Sequence, residues 1–167
     1  MLTGALVGAV GIGGRLLPWP LLSSTVGPTA YVFAAHPRSE AARFRNAVVG
    51  HGVAIGCGFG ALAVFGLGRS PPMSRAGSPS WAQIAAAATG VGLTVLLLEL
   101  GRSHHAPSAA TAVLVTTGLA QPGRPLAGLV LGLAIVVGLG PLVGRLPIGR
   151  AVSSVLPLPR VHEEVKS

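Results

Sequence analysis

Residues 102–119 read Arg102-Ser-His-His105-Ala-Pro107-Ser-Ala-Ala-Thr111-Ala-Val-Leu-Val-Thr-Thr-Gly-Leu119. A cation and two imidazoles lead into Pro107, and a run of small residues carrying Ser108 and Thr111 follows. Proline at a first helical position removes an N–H that would be unpaired there anyway. The run therefore predicts an extended leg and then a short helix over 107–119. The N–H groups just beyond Pro107 are suited to an anion. Polar clusters of this kind are costly in a bilayer and usually functional there.

The rest of the chain is membrane-like. Half of its 167 residues are hydrophobic, 10% are charged and 25 are glycine, and the mean hydropathy is +0.69. This is the profile of an integral membrane protein. The net charge of +8 comes from cations spread singly between long neutral runs. Nucleic-acid binding needs a basic patch or stripe, so no nucleic-acid partner is expected. Cys57 stands alone in an apolar run, which excludes an intramolecular disulfide and a Cys-pair metal site. It reads as a small buried hydrophobe.

Stretches without Asp, Glu, Lys or Arg occupy 1–14, 16–37, 46–68, 76–98, 103–123 and 125–144. Windows 46–68, 76–98 and 125–144 are long enough to cross a bilayer of about 30 Å as helices. Window 1–14, extended by Leu16 and Leu17, reads as a retained first helix; it lacks the basic start and cleavage site of a secretory signal. Windows 16–37 and 103–123 differ. The first contains Pro18, Pro20 and Pro28, and the second contains Pro107. Each predicts a leg and a half-helix, over 28–36 and 107–119. Non-helical backbone at membrane depth persists only against protein or a water-filled cavity, so both legs are expected to line something.

An offset of 79 residues places Pro28-Thr29-Ala30 on Pro107-Ser108-Ala109 and Arg45 on Arg124. Both halves then read helix, broken segment, helix. The expected fold is an all-α integral membrane protein: a helical bundle of two three-segment repeats, inverted relative to each other. The transmembrane domain takes residues 1–149, with repeat one at 1–68, a Pro/Ser/Gly-rich loop at 69–80 and repeat two at 81–149; residues 150–167 form a C-terminal tail. Paired interrupted segments point to the central site of a transporter. If the broken segments are re-entrant, four windows cross and the cations divide evenly. If all six cross, Arg38, Arg43, Arg45, Arg102, Arg145, Arg150, Arg160 and Lys166 gather on one side, and the positive-inside rule puts both termini in the cytoplasm.

These residues carry a family resemblance. Arg102-Ser-His-His105-Ala-Pro107-Ser-Ala-Ala-Thr111-Ala resembles the Arg-x-x-His-Pro-Pro-Ala-Gly-Ala-Thr-Ala motif of the HPP family of integral membrane proteins. Gly27-Pro-Thr-Ala30 is similar to that family's Phe-Gly-Ala turn, and Arg45-Asn46-Ala-Val-Val-Gly50-His51 to its Pro-Arg-Asn-x-x-x-Gly-His element. The likeness runs over roughly residues 16–145. Ala106, Ala109 and Phe44 replace family Pro, Gly and Pro, which marks a divergent member. Four transmembrane helices are usual in the family and would match windows 1–17, 46–68, 76–98 and 125–144. The resemblance implies nitrite transport, as in plant and cyanobacterial relatives.

An anion site fits this layout. Half-helix N-termini at Pro28 and Pro107 would direct partial positive charge inward. Arg45 and Arg102 offer forked donors to a planar oxyanion; Thr29, Asn46, Ser108 and Thr111 offer neutral ones. His51 and His105 could donate when protonated. Each residue also has a structural alternative. Arg102 follows Glu99 by three residues and can pair with it. Arg45 can mark the membrane interface, and Asn46 can cap the helix after it. His51 can make an interhelical hydrogen bond. His104 falls outside the motif and reads as a local hydrogen-bond partner, and His36 as interfacial. No carboxylate or cysteine set accompanies the histidines, so no metal and no cofactor is expected.

Gly52, Gly56, Gly60, Gly128 and Gly132 are expected at close helix contacts. So small a bundle is expected to form a homo-oligomer in the cell membrane. The leading function is a transporter or channel for a small inorganic anion, most readily nitrite. The alternatives are a noncatalytic membrane subunit or assembly factor and, behind it, a membrane enzyme using His105 with Glu99 as an acid–base pair.

Overall fold

The computed structural model describes residues 1–73 and 78–145; the tail expected at 150–167 lies outside the described residues. The described chain is all-helical: α1 (Leu2–Leu16), α2 (Val26–Ala35), a 3-10 turn (Glu40–Ala42), α3 (Phe44–Val64), α4 (Trp81–Leu100), α5 (Ser108–Thr116) and α6 (Arg124–Val143). α3, α4 and α6 are long and apolar enough to cross a membrane, each about 30 Å at 1.5 Å per residue. α2 and α5 have 10 and 9 residues and cannot cross as helix alone.

The boundaries follow local chemistry. Ser80 and Gln83 form a capping box that starts α4, so the window at 76–98 becomes a helix at 81–100. α2 begins before Pro28, with Thr25 at its N-cap; Pro28 sits in the first turn, where a missing N–H leaves no bond unmade. Pro107 is the N-cap residue of α5. Gly118, at φ +76°, turns the chain after α5, and its Cβ position lies 3.0 Å from the Cα of Pro72. Only glycine combines that backbone conformation with that approach.

The described helices form two packing units. α1 and α2 pack on each other and on α6, while α4 and α5 pack on each other and on α3; α3 and α6 also touch. The first unit buries Leu6, Val10, Leu21, Val26, Phe33 and Val136. A second cluster joins the two units, with Leu62 of α3 and Leu114 and Val115 of α5 buried against Leu129 and Leu133 of α6. Outward faces are apolar as well: Val64, Trp81, Leu96 and Leu142 are exposed, as lipid contact requires.

Each broken segment runs along a long helix through a row of glycines. On α6, Gly128 meets the Pro20 carbonyl, Gly132 the Leu21 carbonyl, Gly140 the Phe33 ring, and Gly144, the residue after α6, the Phe33 carbonyl and Pro37. On α3, Gly50 meets His105 and Ser108, and Gly58 meets Val115. A Cβ at Gly128 would stand 2.7 Å from Pro20 O, so these contacts exclude any side chain. Gly52, Gly56 and Gly60 do not serve this way. They lie on the outer face of α3 with nothing near a Cβ position, a correction to the expectation of close packing within the chain. Cys57 is only half-buried.

Candidate functional site: a buried imidazole–hydroxyl chain

Four hydroxyls and two imidazoles meet where α2, α3 and α5 converge. Thr25, Thr29, His51, His105, Ser108 and Thr111 are each at most 5% exposed. Thr25 Oγ1 donates to the Pro107 carbonyl at 3.1 Å and lies 3.0 Å from Thr111 Oγ1. The N-cap residues of the two half-helices are thus joined directly. Thr111 Oγ1 is 2.8 Å from His51 Nδ1. On the other edge of that ring, His51 Nε2 is 3.2 Å from His105 Nε2 and 3.3 Å from Thr29 Oγ1. His105 Nδ1 donates to the Ala41 carbonyl at 2.7 Å. The two rings stand edge to face, centroids 4.9 Å apart.

Helical spacing explains the convergence. Thr25 and Thr29 are four residues apart on one face of α2, and Ser108 and Thr111 three apart on one face of α5. Gly50 admits His105 and Ser108 to the surface of α3, which brings the second leg within reach of His51. Thr29 Oγ1 donates to Thr25 O at 2.7 Å, and Ser108 Oγ to His105 O at 2.6 Å; these bonds satisfy hydroxyls that would otherwise be unpaired inside the bundle.

The remaining residues singled out by sequence lie elsewhere. Arg45 and Arg102 are exposed, and neither makes an ion pair among the described residues, where Glu40 pairs with Arg43 and Glu99 with His104, each at 3.3 Å. The Arg102 side chain therefore does not pair with Glu99, although its backbone N–H donates to the Glu99 carbonyl at 3.1 Å, and the pairing of His105 with Glu99 is not assembled. Asn46 is buried but is not an N-cap: α3 starts at Phe44, and Asn46 Nδ2 donates to Glu40 O at 2.9 Å. The first N–H groups of α5 are not free. Ser108, Ala109 and Ala110 donate to His105, Ala106 and Pro107, which corrects the expected cradle of open donors. His36 is exposed beside the Tyr31 hydroxyl.

Two participants had not been singled out. Thr25 was legible as an N-cap threonine at the end of Ser23-Ser24-Thr25, had the start of α2 been set earlier. The Ala41 carbonyl had no signal, since every residue carries one. His51 lies seven residues into α3, about 10 Å from its start and about 5 Å from its midpoint. Beside Thr25, a cavity of about 320 Å³ is lined by Pro20, Ser23, Ser24, Leu114, Leu119 and Leu129. The buried Ser23 Oγ has no hydrogen-bond partner among the described residues. The described residues hold no group of three or more His, Cys, Asp or Glu side chains able to grip a metal.

Long apolar helices, proline-broken segments and a buried polar junction define a helical membrane protein. The chain belongs to the HPP family: the model described as "HPP, transmembrane region" matches residues 1–153. No curated protein matches the chain, and no solved structure does.

Proposed function

We propose that this protein is a transporter or channel for a small inorganic anion, nitrite first, in the cell membrane, and that the chain of Thr25, Thr29, His51, His105, Ser108 and Thr111 is its central site. One observation carries the reading: the N-terminal ends of both half-helices are joined through buried side chains, Thr25 to Pro107 and Thr111. Imidazoles and hydroxyls are costly to bury in so apolar a bundle unless they are hydrogen-bonded, and polar clusters held inside membrane bundles usually serve function. Helix N-termini add partial positive charge at that point, and the nearby cavity bearing Ser23 and Ser24 offers an approach. Arg45 and Arg102, exposed at the surface, act at a distance by raising local anion concentration.

The reading includes six crossings. The segment from Pro20 to Pro37 follows α6 from Gly128 to Gly144, about 24 Å of rise, so leg and half-helix together cover most of a bilayer. The segment at 105–115 follows α3 from Gly50 to Gly58 in the same sense. Advancing each element by three positions also maps the α1, α2, α6 group onto the α4, α5, α3 group, which favours two repeats that exchange their third helices. The side carrying eight cations is then cytoplasmic.

Reconstitution of the full-length chain in liposomes tests the function. Nitrite influx above that of protein-free vesicles is expected, lost in His51→Ala and kept in His104→Ala, since His104 is exposed and bonds only Glu99. Absence of flux for nitrite, nitrate, formate and halide alike would remove the proposal. The reading as a noncatalytic subunit rests on the open glycine row of α3, which the same proposal takes as the contact of a homo-oligomer.

A further inference from the structure

In its neutral state the buried chain of the proposed site holds one proton fewer than it has hydrogen-bond links. Its links run Ala41 O to His105 Nδ1, His105 Nε2 to His51 Nε2, His51 Nδ1 to Thr111 Oγ1, Thr111 Oγ1 to Thr25 Oγ1, and Thr25 Oγ1 to Pro107 O. That makes five links, and both ends are carbonyls, which only accept. Each link needs one proton. Neutral His105, His51, Thr111 and Thr25 hold one mobile proton apiece, four in all. Thr29 and Ser108 cannot lend theirs, because both are committed to backbone carbonyls. In the neutral state one link therefore holds two facing lone pairs, wherever the tautomers settle.

We propose that the His51–His105 pair takes up one proton from water beyond the two it holds when neutral, and so closes an unbroken hydrogen-bonded chain between the two carbonyls. With three protons on the pair, His105 donates to Ala41, one N–H bridges the rings, His51 donates to Thr111, Thr111 to Thr25, and Thr25 to Pro107. An N–H bond forms as an O–H bond of hydronium breaks, and a water molecule is released. The inference rests on the transport reading, because it says where that site finds positive charge. Among the described residues His105 is the one titratable group bonded to His51; α2 presents Thr25 and Thr29, and α5 presents Ser108 and Thr111. Beyond His105, Glu40 is exposed and paired with Arg43, and both other arginines near the site face outward. The proton is thus the one full positive charge in the network. A lone charge is expensive in an apolar interior, and a monoanion arriving with the proton leaves the pair neutral overall.

The proton count is readable by solid-state 15N NMR of full-length protein, 15N-labelled at histidine, in lipid vesicles, with the pair assigned from His51→Gln and His105→Gln difference spectra. With nitrite in the buffer to balance the added charge, the wild-type pair should pass from two N–H groups to three as the pH falls from about 8 to about 5. Thr25→Val removes two links and one proton, leaving three of each, so the neutral chain is complete and the pair should keep two N–H groups over that range. Thr25→Ser should restore the third. Thr111→Val, which also removes the deficit, gives the same reading should Thr25→Val not fold. A wild-type pair that stays at two, or valine variants that gain the third as readily as wild type, would overturn the proposal. Nitrite flux with the pair fixed at two removes the relay and spares the carrier. A third proton that depends on Thr25, in a protein that moves no anion, supports the relay and removes the carrier.

Discussion

Thr111 occupies the middle of the buried chain, and its environment sets what replacing it does. Valine keeps its shape but removes the oxygen shared by His51 and Thr25. Leaving a buried ring nitrogen unpaired costs about 1–3 kcal/mol. Thr111→Val is expected to lower thermal stability by that amount in detergent and to cut nitrite flux at least tenfold, while Thr111→Ser, which keeps the oxygen, retains most of both; equal loss in the two variants would mean that packing and not the hydroxyl matters. The arginines should behave differently. Arg45→Ala and Arg102→Ala change exposed side chains, so stability should stay within about 0.5 kcal/mol. Their flux defect should be small and should fade as salt screens long-range attraction, which a comparison of initial rates at low and high ionic strength would reveal.

Glycine has two opposite meanings on α3. Gly58 faces inward against Val115, 2.7 Å from where a Cβ would stand, and Gly50 receives the second leg. Gly58→Val must push α5 away, and overpacking of this kind costs about 1–3 kcal/mol; a lower melting temperature is the expected result. One turn and a face away, Gly52, Gly56 and Gly60 meet nothing. Gly56→Leu should leave the fold of the single chain intact but lower the oligomer fraction seen by crosslinking in lipid, because small-residue rows let helices approach closely in membranes. An unchanged crosslinking pattern would count against that row as a contact. From sequence the two rows look alike, since spacing reports a shared face and not which face points inward.

The pairing of α2 with α6 and of α5 with α3, read as an exchange between the two proposed repeats, would set the topology. With leg and half-helix crossing together, the α1–α2 connection and the α2–α3 connection lie on opposite sides of the bilayer. In a Cys57→Ser background, Leu17→Cys and Ser39→Cys should therefore label from opposite faces; labelling from one face would return the molecule to four crossings with re-entrant segments. The same pairing makes the site. Thr25, His51 and Thr111 are far apart in the chain, and they meet because α2 leans on α6 while α5 leans on α3.

What sequence settled alone was local in its physics. Apolar runs of bilayer length, prolines that deny an N–H to a helix, and scattered cations between windows located the long helices, both broken segments and the family motif. His51, His105, Ser108, Thr111 and Thr29 were legible because polar side chains in such surroundings require partners. Tertiary structure decided which partners they found. It turned Arg45 and Arg102 outward, gave Asn46 to the Glu40 carbonyl, brought in Thr25 and the Ala41 carbonyl, and filled the first-turn N–H groups of α5. Those outcomes depend on which faces of distant helices meet, and a hydrogen bond between such faces is fixed by packing geometry that no single segment contains.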